Sequence, residues 1–85
     1  MYRKTIDELQ EDTRDKQIID LRSEDDFEKE TYPGAMNLYW EELGERVDEI
    51  TKDKPVYLIC YTGQKSDEIA QDLQEQGYET YSVEG

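Results

Sequence analysis

The chain contains no histidine, and that absence narrows its chemistry more than anything it possesses. Cys-His and Ser-His nucleophile pairs, zinc sites built on imidazole and histidine acid–base catalysis are all excluded. There is one cysteine, so no internal disulfide and no structural zinc cluster can form. Basic residues are scarce: 10 lysines and arginines face 23 acids, for a net charge of −13. Such a balance disfavours non-specific binding to nucleic-acid phosphates or anionic membranes, and it works against steering a small anion to a site. A basic or neutral partner is helped instead, although the same charge also serves solubility. No apolar run reaches the length of a membrane span, and Met1-Tyr2-Arg3-Lys4 leads into no signal-peptide core. With a single thiol, the chain reads as cytoplasmic.

Apolar residues are also sparse, 34% against 39% charged, which lies near the composition of disordered chains. They are periodic rather than scattered, and seven tyrosines with Trp40 add apolar area. Residues 1–85 are therefore expected to form one small domain of modest stability.

The stretch that organises the chain is Val56-Tyr57-Leu58-Ile59-Cys60-Tyr61-Thr62-Gly63-Gln64-Lys65-Ser66. Four successive apolar residues predict a strand buried on both faces, as in the middle of a parallel sheet. Cys60 follows at its carboxyl end, then a polar turn with Gly63, then a helical pattern. Ligands of open α/β sheets bind beyond the strand ends, where backbone N–H groups and a helix N-terminus favour a thiolate. Two readings of Cys60 stay open on this ground alone: a reactive thiol, or a small buried hydrophobe.

Around it the elements alternate. Tyr2 to Lys4 has the length of an edge strand, and Thr5 with Glu8 reads as a capping box before a short helix carrying Ile6 and Leu9. Gln17 to Leu21 is a second central strand that ends at Asp20 and Arg22. Ser23 is expected to cap a helix anchored by Phe27, and Tyr32-Pro33-Gly34 is a turn before a short strand over 35–38. Tyr39, Trp40, Leu43, Val47 and Ile50 are spaced as on a helix, with a break or bend allowed at Gly44. From Ser66, Ile69, Ala70 and Leu73 make an apolar helix face that Gly77 terminates, and Thr80 to Val83 is the last strand. Strands alternating with helices give an α/β fold with a four- to five-stranded, mainly parallel sheet.

Three segments carry a resemblance to the rhodanese-like domain family of sulfurtransferases. Cys60-Tyr61-Thr62-Gly63-Gln64-Lys65-Ser66 resembles its active-site loop, Ile18-Ile19-Asp20-Leu21-Arg22 its strand ending in Asp-x-Arg, and Tyr32-Pro33-Gly34-Ala35-Met36-Asn37-Leu38 its Pro-Gly-Ala-x-Asn segment. The resemblance implies a sulfurtransferase in which Cys60 carries sulfane sulfur as a persulfide. The sulfur would come from a donor such as thiosulfate or another persulfide and pass to a thiol or cyanide. Tyr61, Thr62, Gly63, Gln64, Lys65 and Ser66 would form the substrate cradle, with Asp20 and Arg22 at the pocket floor and entrance. It calls for no cofactor and no metal, and for a small sulfur donor or a persulfide-carrying protein as partner. A catalytically inactive binding or regulatory module of the same fold is the alternative.

The chain also departs from that family. Lys65 stands where arginine is usual, and lysine lacks the planar fork that grips an anion in two places. Tyr61 stands where a second arginine is frequent, and Glu30-Thr31 replaces Gly-His. The usual C-terminal helix is lacking, so an apolar sheet face is expected to lie bare and to invite self-association. Structural readings compete elsewhere: Asp20 and Arg22 as a simple pair tying down loops, Ser66 as a helix N-cap, Trp40 as core or pocket rim. Phosphatase chemistry is disfavoured, because no arginine follows Cys60 at the required spacing.

Overall fold

A computed structural model describes residues 3–60 and 64–84. In chain order these form β1 (Arg3–Thr5), α1 (Ile6–Glu11), β2 (Gln17–Asp20), α2 (Glu24–Lys29) and β3 (Met36–Asn37). A helical segment with α3 (Leu43–Arg46) at its centre follows, then β4 (Val56–Ile59), α4 (Gln64–Glu75) and β5 (Thr80–Glu84). The described strands lie in the order β1-β5-β4-β2-β3, and every neighbouring pair is parallel. Parallel pairing throughout is what strands separated by crossovers require. β2 and β4 run side by side at the centre, Asp20 opposite Ile59, so both chains leave the sheet at the same edge.

One face packs Ile19, Leu21, Val56 and Leu58 against Leu43, Ile50, Ala70 and Leu73. The other packs Ile18, Tyr57 and Val83 against Leu9 of α1. One apolar sheet face is expected to lie bare, and this second face carries the short α1. Among its described residues, however, Ile18, Tyr57 and Val83 are 9%, 1% and 3% exposed, and the large apolar side chains at the surface are Met36 and Trp40. Leu9 covers the middle of this face, while the Tyr57 ring packs on Tyr81 and donates its hydroxyl to Asp12 at 2.6 Å. Burial and Asp12 push the Tyr57 hydroxyl's pKa up, and hydrogen bonds from Arg14 and Tyr57 hold the Asp12 carboxyl below the usual carboxylate range.

Local signals explain most boundaries. Thr5 Oγ1 accepts from the Glu8 N–H while the Glu8 carboxylate accepts from the Thr5 N–H, closing the capping box that starts α1. Ser23 caps α2 as expected. Its expected anchor fails: α2 buries no residue and Phe27 is only half-buried, because six residues with three acids in the first turn form an exposed surface helix rather than a core helix. Around Gly44 the backbone tightens into 3₁₀ turns on either side of the four-residue α3, so the helical stretch, for which a break or bend is allowed at Gly44, is three short pieces. Gly77, at φ +101°, lets the Tyr78 N–H reach the Leu73 carbonyl and the Gly77 N–H reach that of Gln74, the Schellman closure of α4. Among the described residues no helix is long and apolar enough to cross a membrane.

Candidate functional site

β2 and β4 deliver their last residues to one edge of the sheet, and the site is assembled there. At the end of β2, Asp20 is fully buried and its carboxylate is saturated. It accepts from Arg22 Nε at 3.0 Å, from Arg22 Nη2 at 2.8 Å, from the Arg22 N–H at 3.0 Å and from Thr31 Oγ1 at 2.8 Å. Burial pushes the Asp20 carboxyl up, but the Arg22 and Thr31 hydrogen bonds outweigh it and hold the pKa below its ordinary value. The backbone here is equally well used. The Asp20 carbonyl accepts from the Leu38 N–H and from Asn37 Nδ2, which also donates to the Arg22 carbonyl. Asn37 therefore fixes the path of the chain leaving β2. The sequence reading assigned it no role, although it stands in the Pro-Gly-Ala-x-Asn segment. Thr31, a departure from the familiar pattern, supplies a hydroxyl that Asp20 uses.

At the end of β4, Cys60 is half-buried, packing against the core on one side and lining an open cleft on the other. The cleft has a volume of about 690 Å³ and is walled by Ile6 and Gln10 of α1, by Glu30 to Pro33 ahead of the turn, and by Ile59 and Arg22. The Ser66 N–H points at Cys60 Sγ across 3.4 Å, within sulfur hydrogen-bond range. That amide lies in the first turn of the twelve-residue α4, whose positive end favours negative charge on the sulfur.

Of the six loop residues singled out from sequence after Cys60, three are placed. Tyr61, Thr62 and Gly63 lie outside the described residues. Gln64 opens α4. Lys65 is held by Glu68 at 3.3 Å and lies over the Trp40 ring, 4.4 Å from its centre. Trp40 is accordingly a rim residue, at the mouth of a groove between α3 and α4.

Ser66 corrects the sequence reading. It is the third residue of α4, not the residue before the helix, and its hydroxyl is buried against Ser82 Oγ of β5 at 2.6 Å. The helix starts two residues earlier than its apolar face suggested, which turns the expected N-cap into an interior tie. The acids beside the loop are likewise engaged: Asp67 pairs with Arg3 of β1 at 2.5 Å, and Glu68 holds Lys65. The structure thus brings Cys60, Arg22 and the Ser66 amide to one strand edge, seats Asp20 behind Arg22, and places Lys65 against Trp40.

A chain with these features has known relatives. A model of the rhodanese-like domain matches residues 4–85. The thiosulfate sulfurtransferase GlpE of Coxiella burnetii is 41% identical over 73 residues, a span of 85% of this chain and 68% of that one. Among solved structures, a rhodanese-related protein from Thermoplasma volcanium superposes with a TM-score of 0.90 at 22% identity, over 100% of this chain and 85% of that chain, a likeness of fold. A segment of an NAD-dependent persulfide reductase from A. fulgidus, 15% of its length, matches all of this chain at 32% identity with a TM-score of 0.78.

Proposed function

The chain belongs to the rhodanese-like domain family, and from that premise we propose that it is a sulfurtransferase whose Cys60 carries sulfane sulfur as a persulfide. The observation that supports this most directly is the Ser66 N–H aimed at Cys60 Sγ from the first turn of α4, beside an open cleft. A thiolate needs no neighbouring base to attack a sulfane sulfur; it needs only to be an anion with access. Main-chain dipoles meet the first requirement in a chain that has no histidine to do so. The 690 Å³ cleft meets the second.

The cycle has two displacements. Cys60 thiolate attacks the outer sulfur of the donor, the donor's S–S or S–SO₃ bond breaks, and the remaining fragment leaves with the bonding electrons. The outer sulfur of the Cys60 persulfide is then attacked by an acceptor thiol or cyanide, returning the thiolate. The Ser66 amide, aimed at Cys60 Sγ from the first turn of α4, holds the anionic persulfide between the two steps, a donor set where charge develops. Arg22, held in place by Asp20, stands at the cleft wall where it orients what enters. The family's relatives named as thiosulfate sulfurtransferases support this reaction class.

The test is direct. Intact-mass measurement after incubation with thiosulfate or a small persulfide is expected to show one added sulfur atom on the wild-type chain and none on Cys60→Ala. A wild-type chain that stays unmodified under every donor ends the enzyme reading and leaves a binding module of the same fold.

A further inference from the structure

The sulfurtransferase reading leaves the donor open, and the charges around Cys60 bear on it. An anionic donor such as thiosulfate has to bring two negative charges up to a thiolate, so it needs cations that are free to turn toward it. The seven residues from Cys60 to Ser66 contain one basic side chain, Lys65. Lys65 is turned to Glu68 and to the face of Trp40. Among the described residues Arg22 is the cation that lines the cleft, and its Nε and Nη2 are spent on the Asp20 carboxylate, Nη2 also reaching the Glu30 carbonyl. Glu30 lines the same cleft, and its carboxylate is close enough to act electrostatically on Arg22. Arg22 is therefore balanced by Glu30 in the wall and by Asp20 behind it, and the chain as a whole carries −13. In contrast, Ile6, Tyr32, Pro33 and Ile59 give the cleft an apolar wall that asks for no charge on its occupant.

From this pairing of both local cations, and resting on the sulfurtransferase reading above, we infer that Cys60 takes its sulfur from a small persulfide bearing no net negative charge in preference to thiosulfate or another anion. The step balances without an added oxidant. Cys60 thiolate attacks the outer sulfur of R–S–SH, the S–S bond of the donor breaks as the new one forms, and R–S⁻ departs with its electron pair. The outer sulfur and its proton remain on Cys60 as Cys60–S–SH, so one thiolate is exchanged for another. Glu30 and Glu68 are the specificity-determining residues: the first puts negative charge in the cleft, and the second holds Lys65.

The experiment compares cysteamine persulfide, the cationic donor by its ammonium and without net negative charge, with mercaptoacetate persulfide, the anionic donor by its carboxylate. Each loading rate on the full chain is followed by mass and divided by the donor's rate with N-acetylcysteine amide, which removes differences of intrinsic reactivity. At low ionic strength the cationic donor is expected to load at least about tenfold faster. The ratio is expected to fall toward one at about 0.5 M salt, where charges beyond a few ångströms are screened. Glu30→Gln and Glu68→Gln should each raise the anionic donor's rate, by about threefold, and leave the cationic donor no faster. Equal normalised rates at low salt, or a faster anionic donor, overturn the inference while leaving Cys60 a sulfur carrier. Loading by neither donor overturns the sulfurtransferase reading itself, and the donor preference with it.

Discussion

β2 and β4 are adjacent, parallel and in register, and they end two residues apart in character. β2 finishes on a buried acid whose carboxylate is taken up within the fold; β4 finishes on Ile59, opposite Asp20, and hands on to the half-buried thiol of Cys60, which faces a cleft. The first end is closed by Arg22, Thr31, Leu38 and Asn37, so it behaves as a fixed frame. The second is given an amide and an open wall, so it is left available for chemistry. The same end of a parallel sheet can thus be used for rigidity or for reactivity, depending on whether the partners of the side chains there are supplied by the chain or left to a ligand.

Breaking the closed end is expected to cost the most. Asp20→Ala leaves the Arg22 guanidinium and the Thr31 hydroxyl without their acceptor, and urea unfolding should show a loss of about 3 kcal/mol, reduced from a fully buried pair because Arg22 is partly exposed. If the loss is below about 1 kcal/mol, β2 is not the frame described here. Next in size is the tie between α4 and β5: Ser66→Ala should cost about 1 kcal/mol, since Ser82 Oγ would lose the Ser66 hydroxyl in the core and keep the Asp67 carboxylate. A double-mutant cycle with Ser82→Ala should return a coupling of about 1 kcal/mol.

A smaller effect follows from pH. The Asp12 and Asp20 carboxyls both titrate lower in the folded chain than in the unfolded one. Their contribution is complete above the unfolded value near pH ~4 and is lost as pH falls toward the depressed folded values. The urea midpoint is therefore expected to hold from neutral pH to about 5 and to drop below about 4, and Asp12→Asn should flatten part of that drop. The open end should matter least to stability. Cys60→Ala is expected to unfold within about 1 kcal/mol of wild type while losing all sulfur loading, a separation that would sharpen the contrast between the two strand ends.

Much of this was legible before the structure. The β2 and β4 strands, the capping box at Thr5 and Glu8, the turn at Pro33-Gly34 and the stop at Gly77 each have a local cause, and local causes are written in short stretches of sequence. Cys60 was placed correctly at a strand end because four successive apolar residues, three of them buried, fix where β4 stops. What escaped notice depends on distance along the chain. The Ser66–Ser82 hydroxyl pair spans sixteen residues and has no signature in either neighbourhood. Asn37 reaches back to Asp20 and Arg22 from β3, so its part emerges only once β2 and β3 are side by side. Phe27 misled because an aromatic in an acidic helix reads as an anchor, whereas so short a helix has too little buried face to use one. Covering of the sheet by a short helix and a tyrosine pair was equally hidden, since tyrosines counted singly give no hint that Tyr57 and Tyr81 stack.

Ser66 is fastened at both ends: its amide hydrogen serves the sulfur and its hydroxyl is anchored to the strand that closes the fold. A nucleophile wired in this way reports on how firmly β5 is seated. Whatever loosens that strand, whether heat, mutation or a tug on the chain beyond it, should dull the thiol before the molecule unravels, so that sulfur uptake fades as an early warning of instability.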